Sequence, residues 1–369
     1  MQTILIVGAT GVIGDASPAH FAAAPGWTTV AVSRRTPAAL ASGTFRHVAI
    51  DLRDASACLR AYRELSDVTH VVYTAVSEQP GLVPGWHDPR QMQTNYSMLQ
   101  NLLDPLTGVA NLRHVTLLQG AKAYGGHAGH RPPVPARESA PRVQHENFYW
   151  LQEDYLRGKA NESSFTWTIF RPQVVVGAAW GAAMNPLLPL AAYAILRHEE
   201  GRPFSYPGGE MQLAEIVDAS LLAKAFEWAG AAEQATNQIF NVTNGDVFAW
   251  RESWPVLADA LGVEAGPDEP MKLADYLPAR SDLWTAVVAR EGLNPLGLMK
   301  FLGESHHYID VLLRRGSDHI ERPTLLSTIK LRQAGFGECE DSEDVIRRWI
   351  GEMRKRRLIP PLRGARARA

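Results

Sequence analysis

The opening of the chain constrains it most. Thr3-Ile4-Leu5-Ile6-Val7 is an apolar run that breaks at once into Gly8-Ala9-Thr10-Gly11-Val12-Ile13-Gly14. A strand of this type is buried on both faces, as strands of a parallel sheet are. The glycine spacing assigns three tasks: Gly8 permits a tight turn, Gly11 lets backbone N–H groups approach a pyrophosphate, and Gly14 lets the following helix pack closely on the strand. The N-terminal dipole of that helix faces the phosphates, so a nucleotide is the expected guest, with Thr10, Val12 and Ile13 in the same turn. Asp15 to Ala22 is helix-compatible, and Pro18 delays or kinks the helix if it falls beyond the first turn.

Further strands are expected at Thr28–Val32, Phe45–Ile50, His70–Ala75, Arg113–Leu118 and Phe165–Pro172, with helices over Gln91–Leu103 and Asn147–Leu156. Alternation at this interval implies right-handed βαβ units and an α/β, doubly wound parallel sheet of the Rossmann type. A chain of 369 residues suits one large domain and a smaller lobe. The expected division is a dinucleotide-binding domain over 1–173, with return elements near 238–250, and a mainly substrate-binding C-terminal α/β lobe over 174–369. The stretch 76–89, carrying Trp86, reads as a mobile loop near the site. The Gly- and Pro-rich stretch 121–141 reads as a long loop, and loops of that length in compact domains usually serve a site.

Charge does not point to a polyanion: Lys and Arg total 37 against 39 for Asp and Glu, a net charge of −2. The basic cluster Arg354-Lys355-Arg356-Arg357, with Arg363, Arg366 and Arg368, reads as a solvated helix end and frayed tail. Cys58 and Cys339 show no metal-ligand spacing and suit a reducing compartment. No basic, apolar leader precedes the first strand and no apolar run approaches about 18 residues. The expectations are a cytoplasmic protein, no metal, no membrane, no nucleic acid, and a monomer or homodimer.

The second strand ends in Ser33-Arg34-Arg35, where an acidic residue would bind a free ribose 2′-OH. A carboxylate there would repel a 2′-phosphate and these arginines can pair with one, so NADP is expected over NAD. Asp51-Leu52, after the third strand, suits the adenine edge, and Ala75 ends the fourth strand in small residues beneath the cofactor.

At these residues the chain resembles an extended short-chain dehydrogenase/reductase. The resemblance rests on Gly8/Gly11/Gly14, Asp51-Leu52, Ala123-Tyr124-Gly125, Arg171-Pro172 and Val176-Gly177. Two departures narrow it. Gly120 stands where the superfamily has a serine, and Tyr149 is followed four residues later by Glu153 rather than lysine. Lys122-Ala123-Tyr124 and Asn147-Phe148-Tyr149-Trp150 with Glu153-Asp154 resemble the progesterone 5β-reductase and iridoid synthase-like (PRISE) family. The likeness continues through Asn241 to Trp250 and Lys330 to Phe336, and the chain is read as a bacterial-type member; Ala123 and Trp150, which replace the family's His and second Tyr, imply a pocket of different polarity and size.

The resemblance implies NADPH-dependent 1,4-reduction of an α,β-unsaturated carbonyl compound, a small apolar enone or enal, with Lys122 and Tyr149 catalytic beside the carbonyl. It also implies cofactor contacts at Gln119, Gly120, Tyr149, Pro172, Val174 and Val175. Chemistry supports the roles: hydride at the β-carbon drives charge onto the carbonyl oxygen, a phenol can donate to that oxygen, and an ammonium can stabilise it or depress the phenol. Carbonyl reduction, sugar-nucleotide epimerisation and a non-catalytic NADP-binding regulator remain alternatives. Phe148, Trp150, Trp180, Met184 and Tyr193 are candidate pocket residues. His127, His130 and His145 read as pocket rim or surface, Asn95 as a structural residue near the site, and Trp228, Trp250, Trp254, Trp284 and Trp349 as packing.

Overall fold

The computed structural model describes residues 2–38, 45–209, 213–294, 296–313 and 323–362. Its centre is a seven-stranded parallel sheet. The strands are β1 (Gln2–Val7), β2 (Trp27–Ser33), β3 (Arg46–Ala49), β4 (His70–Tyr73), β5 (His114–Leu118), β6 (Thr166–Pro172) and Gln238–Val242. In space β3-β2-β1-β4-β5-β6 is followed by Gln238–Val242, so the strand order reverses at β1 and β4. A crevice outside their C-terminal ends is where such a sheet binds ligands.

Side chains alternate along each strand, so both faces must be apolar and covered. Leu5 and Val7 join Val30, Val32, Val71, Leu117 and Ile169 in one core. Over it lie α2 (Ala55–Tyr62), α3 (Pro89–Thr107) and α4 (Phe148–Ser163), through Cys58, Leu99 and Leu156. Ile4 and Ile6 join Val72 and Phe170 in the other, which takes in Phe21 of α1 (Ser17–Ala23). It continues without a break through α5 (Leu187–Glu199) and α6 (Ala219–Ala231) to Trp284, Phe301 and Trp349. The chain returns to the sheet first with α6, which packs on α1 and β5, ahead of the strand Gln238–Val242. A short strand β7 (Val174–Val176) pairs in parallel with Ile216–Asp218.

The expected strands are all present, β1 and β2 a little longer and β3 to β6 a little shorter than expected, and α3 and α4 run further than the sequence pattern indicates. Regular helix begins only at Ser17, which puts Pro18 in the first turn, where its missing donor has no intrahelical partner to lose.

Two expectations are corrected. The stretch 76–89 is held by a network of hydrogen bonds. Asn95, fully buried, accepts from Ser77 N and donates to Ser77 O, both at 2.8 Å. Gln91 accepts from Gln79 N, and Glu304 accepts from Gly81 N. The basic cluster, for its part, is not simply solvated. Arg356 donates to Asp15 at 2.5 Å, fastening the last helix to the residue after the glycine turn, and Leu358 and Ile359 are buried. Arg363, Arg366 and Arg368 lie outside the described residues.

The candidate packing tryptophans Trp250, Trp254, Trp284 and Trp349 are buried, and Trp349 Nε1 donates to Asp218. Tyr193 is enclosed in the core and bonds Ser205 O, so it lines no substrate pocket.

His70 and His114 are buried at the start of β4 and β5, with Nδ1 of each against a threonine hydroxyl. Burial pushes them down to about 4 and about 3, respectively. An imidazole near its usual 6.5 in the unfolded chain therefore binds protons that the folded chain refuses. Stability is complete above pH 6.5 and falls as pH drops from there toward 4, by about 1.4 kcal/mol per unit of separation. Replacing both histidines with Gln should flatten the slope of urea midpoint against pH between 4.5 and 6.5, and an unchanged slope would contradict this assignment.

Candidate active site

The glycine turn has the shape a pyrophosphate requires. Gly8 has φ +94°, and a Cβ there would stand 2.7 Å from Thr74 Oγ1. At Gly14 a Cβ would lie 2.3 Å from Gly8 O, so helix and strand meet at the closest approach a backbone allows. At Gly11 the nearest heavy atom is Gly8 O at 3.4 Å and nothing else lies within 4 Å. That face of the backbone is open. These residues fit a dinucleotide phosphate.

The two arginines after β2 are divided. Arg34 is exposed. Arg35 donates to Thr10 O and Trp180 O, both at 3.1 Å, and its guanidinium lies 3.8 Å over the Trp180 ring. Trp180 is thereby a platform for Arg35, with Lys300 on the same ring at 5.6 Å. Asp51 holds Arg53 through two oxygens and lies within the field of Arg34, with its carboxyl pulled down to about 2 chiefly by that hydrogen bond. Ser33 Oγ is engaged with Arg35 O and His47.

Lys122 and Tyr149 come from the segments that follow β5 and precede β6. Asn147 caps α4 by accepting from Tyr149 N at 3.0 Å, and its amide reaches Lys122 O at 3.4 Å, tying the two segments together. Phe148 and Tyr149 pack with Ala123 and Met92 in a small apolar cluster. A Cβ at Gly120 would meet Tyr149 Oη at 3.2 Å, so the space a serine takes elsewhere in the superfamily is shared here with the phenol.

The Lys122 side chain is 17% exposed, lies 4.3 Å over the Trp86 ring, and pairs with Glu78 at 3.7 Å. Burial lowers Lys122 and raises Glu78, each opposed by the other's charge. Tyr149 is raised by burial first, then by Glu78 and Tyr308, with Arg171 opposing. The expectation that Lys122 depresses the phenol is therefore corrected: the carboxylate beside the lysine works in the other direction, and the cation acting on Tyr149 is Arg171.

Glu153, where the superfamily has its lysine, is taken up by cations. It pairs with Arg142 at 2.9 Å and Arg157 at 2.8 Å, lies 3.6 Å from Arg171, and accepts from Gln119 at 3.0 Å. Burial pushes this carboxyl up, but Arg142, Gln119 and Arg157 bring it below its ordinary value. The Gln119 side chain is taken up in the same network, donating to Glu153 and accepting from Arg171. Trp150 lines a polar cavity of about 190 Å³ there with Arg142, Arg157 and Arg171. Its ring also packs against the apolar cluster of Phe148, Tyr149, Ala123 and Met92.

Pro172, Val174 and Val175 are buried where β6 ends and β7 begins, and Met184 lies partly exposed before α5. Leu52 is buried, while Ala75 is partly exposed just past β4. His87 stacks on His127 at 5.8 Å, His145 meets His127 edge-on at 5.2 Å, and His130 lies tilted to His145 at 5.8 Å. His127 is pushed down to about 3 by burial and then by Lys122 and its neighbours. Sequence reasoning missed Glu78, Gln91 and Tyr308. Glu78 sits in a stretch without periodicity, and Tyr308 comes from the helix Ser305–Leu312 of the C-terminal lobe. Only the position of 76–89 after a strand end signalled the first. Among the described residues no cluster of His, Cys, Asp and Glu is arranged to hold a metal, and no helix is long and apolar enough to cross a membrane.

A family model described as a PRISE-like Rossmann-fold domain matches residues 60–299. The chain is 31% identical over 375 residues to an (S)-8-oxocitronellyl enol synthase of Antirrhinum majus, covering 96% of this chain and 92% of that protein. It is 30% identical over 373 residues to a 3-oxo-Delta(4,5)-steroid 5-beta-reductase of Arabidopsis thaliana, with the same coverage. Among solved structures, a UDP-glucose 4-epimerase of Thermotoga maritima has a TM-score of 0.68 at 16% identity, covering 96% of this chain and 99% of that one. The Thermus thermophilus UDP-glucose 4-epimerase in complex with NAD has a TM-score of 0.62 at 19% identity, with the same coverage. These two share the fold.

The Glu153 network gives a direct test. Glu153→Lys would place a further cation among three arginines and should lower stability by roughly 3–5 kcal/mol, read as a fall in the urea midpoint. Wild-type stability in that variant would show that the arginines do not depend on the carboxylate.

Proposed function

Because the chain belongs to the family of PRISE-like Rossmann-fold domains, we propose that it reduces the C=C bond of an α,β-unsaturated carbonyl compound by 1,4-addition, with NADPH as donor and a small apolar enone or enal as substrate. The observation that carries this reading is the pairing of Lys122 with the buried carboxylate of Glu78 beside the C-terminal ends of β4 and β5, with the buried Tyr149 tied to the Lys122 segment through Asn147 and within the field of Glu78. The relatives named above are plant proteins and lend no support to a bacterial-type member.

A reduced nicotinamide dinucleotide, when bound along the glycine turn, supplies the hydride. The chain's own residues handle the charge that follows. As the C=C electron pair moves toward the carbonyl, negative charge gathers on the substrate oxygen. Tyr149, kept protonated by burial and by Glu78, donates a hydrogen bond to that oxygen. The Lys122 ammonium, in surroundings dry enough to strengthen its field, stabilises the same charge. Phe148 and Met92 present apolar surface that excludes water. A proton taken up from bulk solvent, at the α-carbon or on oxygen, completes the addition.

The preference for NADPH rests on Arg34, the exposed arginine near Asp51, while Arg35 braces the turn through Thr10. In keeping with the sheet topology, residues 1–173 with α6 and the strand Gln238–Val242 form the dinucleotide-binding part. The remainder of 174–369 contributes the substrate side through Tyr308.

Tyr149→Phe should lower turnover of an enone on the order of 10²- to 10³-fold while leaving dinucleotide affinity nearly intact, measured by NADPH oxidation and by fluorescence titration. An unchanged turnover removes the phenol from the mechanism. Arg34→Ala should weaken NADPH on the order of ten- to a hundredfold and NADH little, whereas Arg35→Ala should weaken both. Equal losses of the two cofactors in Arg34→Ala would refute the assignment.

A further inference from the structure

Glu78 has no part in the resemblance that names Lys122 and Tyr149, yet it is among the most confined charges in the site. Its side chain is 3% exposed. The segments carrying Glu78 and Lys122 leave the ends of β4 and β5, which are adjacent in the sheet, so they emerge side by side. The carboxylate is fixed from behind by α3. Gln91 donates to Glu78 Oε2 at 2.6 Å and accepts from Gln79 N at 2.7 Å, and one turn further along Asn95 clamps Ser77 on both its backbone groups. The other oxygen, Oε1, is buried with no hydrogen-bond partner among the described residues and faces the Lys122 ammonium at 3.7 Å. A buried acceptor left without a donor is costly, and a helix face built to hold it there is accordingly a functional arrangement.

We propose that Glu78 is a positioning residue for the reduction, holding the Lys122 ammonium charged and fixed beside the substrate oxygen in a pocket that would otherwise discharge it. This rests on the function proposed above. The reasoning is electrostatic. A buried ammonium without a partner gives up its proton, and an anion beside it restores the charged form. Trp86 offers only the face of its ring, and a cation–π contact is weaker than a carboxylate at this depth. The other charged or titratable groups bearing on the pair are Glu304, which acts on Glu78 from the start of the helix Ser305–Leu312, and His127, which lies in the field of Lys122 and stays neutral. Tyr149, with Tyr308 and Arg171 around it, feels Glu78 as well. Neither Glu304 nor His127 replaces the carboxylate: Glu304 is held by Gly81 N and His307 and, among the described residues, makes no ion pair with Lys122, and a neutral imidazole carries no charge.

The test removes the charge and keeps the shape. In Glu78→Gln, carbamoylation of Lys122 by cyanate, followed by peptide mass spectrometry without substrate, should shift its pH midpoint down by about one unit or more, which is about tenfold faster labelling below the midpoint. The alkaline limb of kcat/KM for enone reduction should move down by the same amount. Glu78→Asp, which keeps the charge at a longer gap, should fall between the two, and supplies the same comparison should the Gln variant not fold. Unshifted labelling midpoints in both variants would overturn the proposal. The labelling readout does not use the reaction. If the enone reading fails, the labelling shift survives, and if the pair fails, reduction proceeds with an unmoved limb.

Discussion

All seven strands of the main sheet run the same way, and that constraint decides where every other part of the molecule goes. A parallel sheet sends each strand's C-terminal end to one edge, with its loops gathered along a single rim. The glycine turn after β1, Ser33 to Arg35 after β2, Glu78 after β4, Lys122 after β5 and the Pro172 bend after β6 are all on that rim because of the direction of the strands. The opposite rim carries His70 and His114, whose neutrality serves packing.

Within the rim, the arrangement of charge follows from burial. Lys122, Glu78, Tyr149 and Glu153 are all withdrawn from solvent, and each has its own counterpart. Glu153 is surrounded by arginines and stays ionised. Tyr149 is left with burial and a neighbouring carboxylate, both of which keep its proton on. With the acidic residue on the helix position that elsewhere carries lysine, and the lysine in the loop after β5, the proposed mechanism uses a phenol that donates and does not ionise. A donor to a growing oxyanion is what conjugate reduction needs, whereas a phenolate suits abstraction of an alcohol proton.

Much of the fold was legible because it depends on local pattern. Apolar runs ending in small residues gave the strands, and Asn147, Asp54, Asp88 and Asp218 are side chains that cap helices as their types suggest. Gly8 and Gly14 could be read because each meets a steric demand that other residues fail, and Gly11 leaves an open backbone face between them. What could not be read depends on distant parts of the chain meeting. Arg35 looked like a phosphate ligand, but only the fold shows that Trp180 lies beneath it. Arg356 looked solvated until Asp15, 341 residues away, was set against it. Glu78 and Tyr308 lie in stretches whose sequence has no motif, and their importance arises from what they face. Tyr149 and Lys122 were legible through resemblance, while the direction of the shift on the phenol required the positions of Glu78 and Arg171.

The central claim is that hydride reaches the β-carbon while the carbonyl oxygen is held by donors. It is tested most directly with NADPH carrying deuterium at the transferable C4 position and a simple enone, the product being read by NMR and mass spectrometry. The account predicts one deuteron on the β-carbon of a saturated ketone with its C=O intact. A deuteron on the former carbonyl carbon of an allylic alcohol would contradict it.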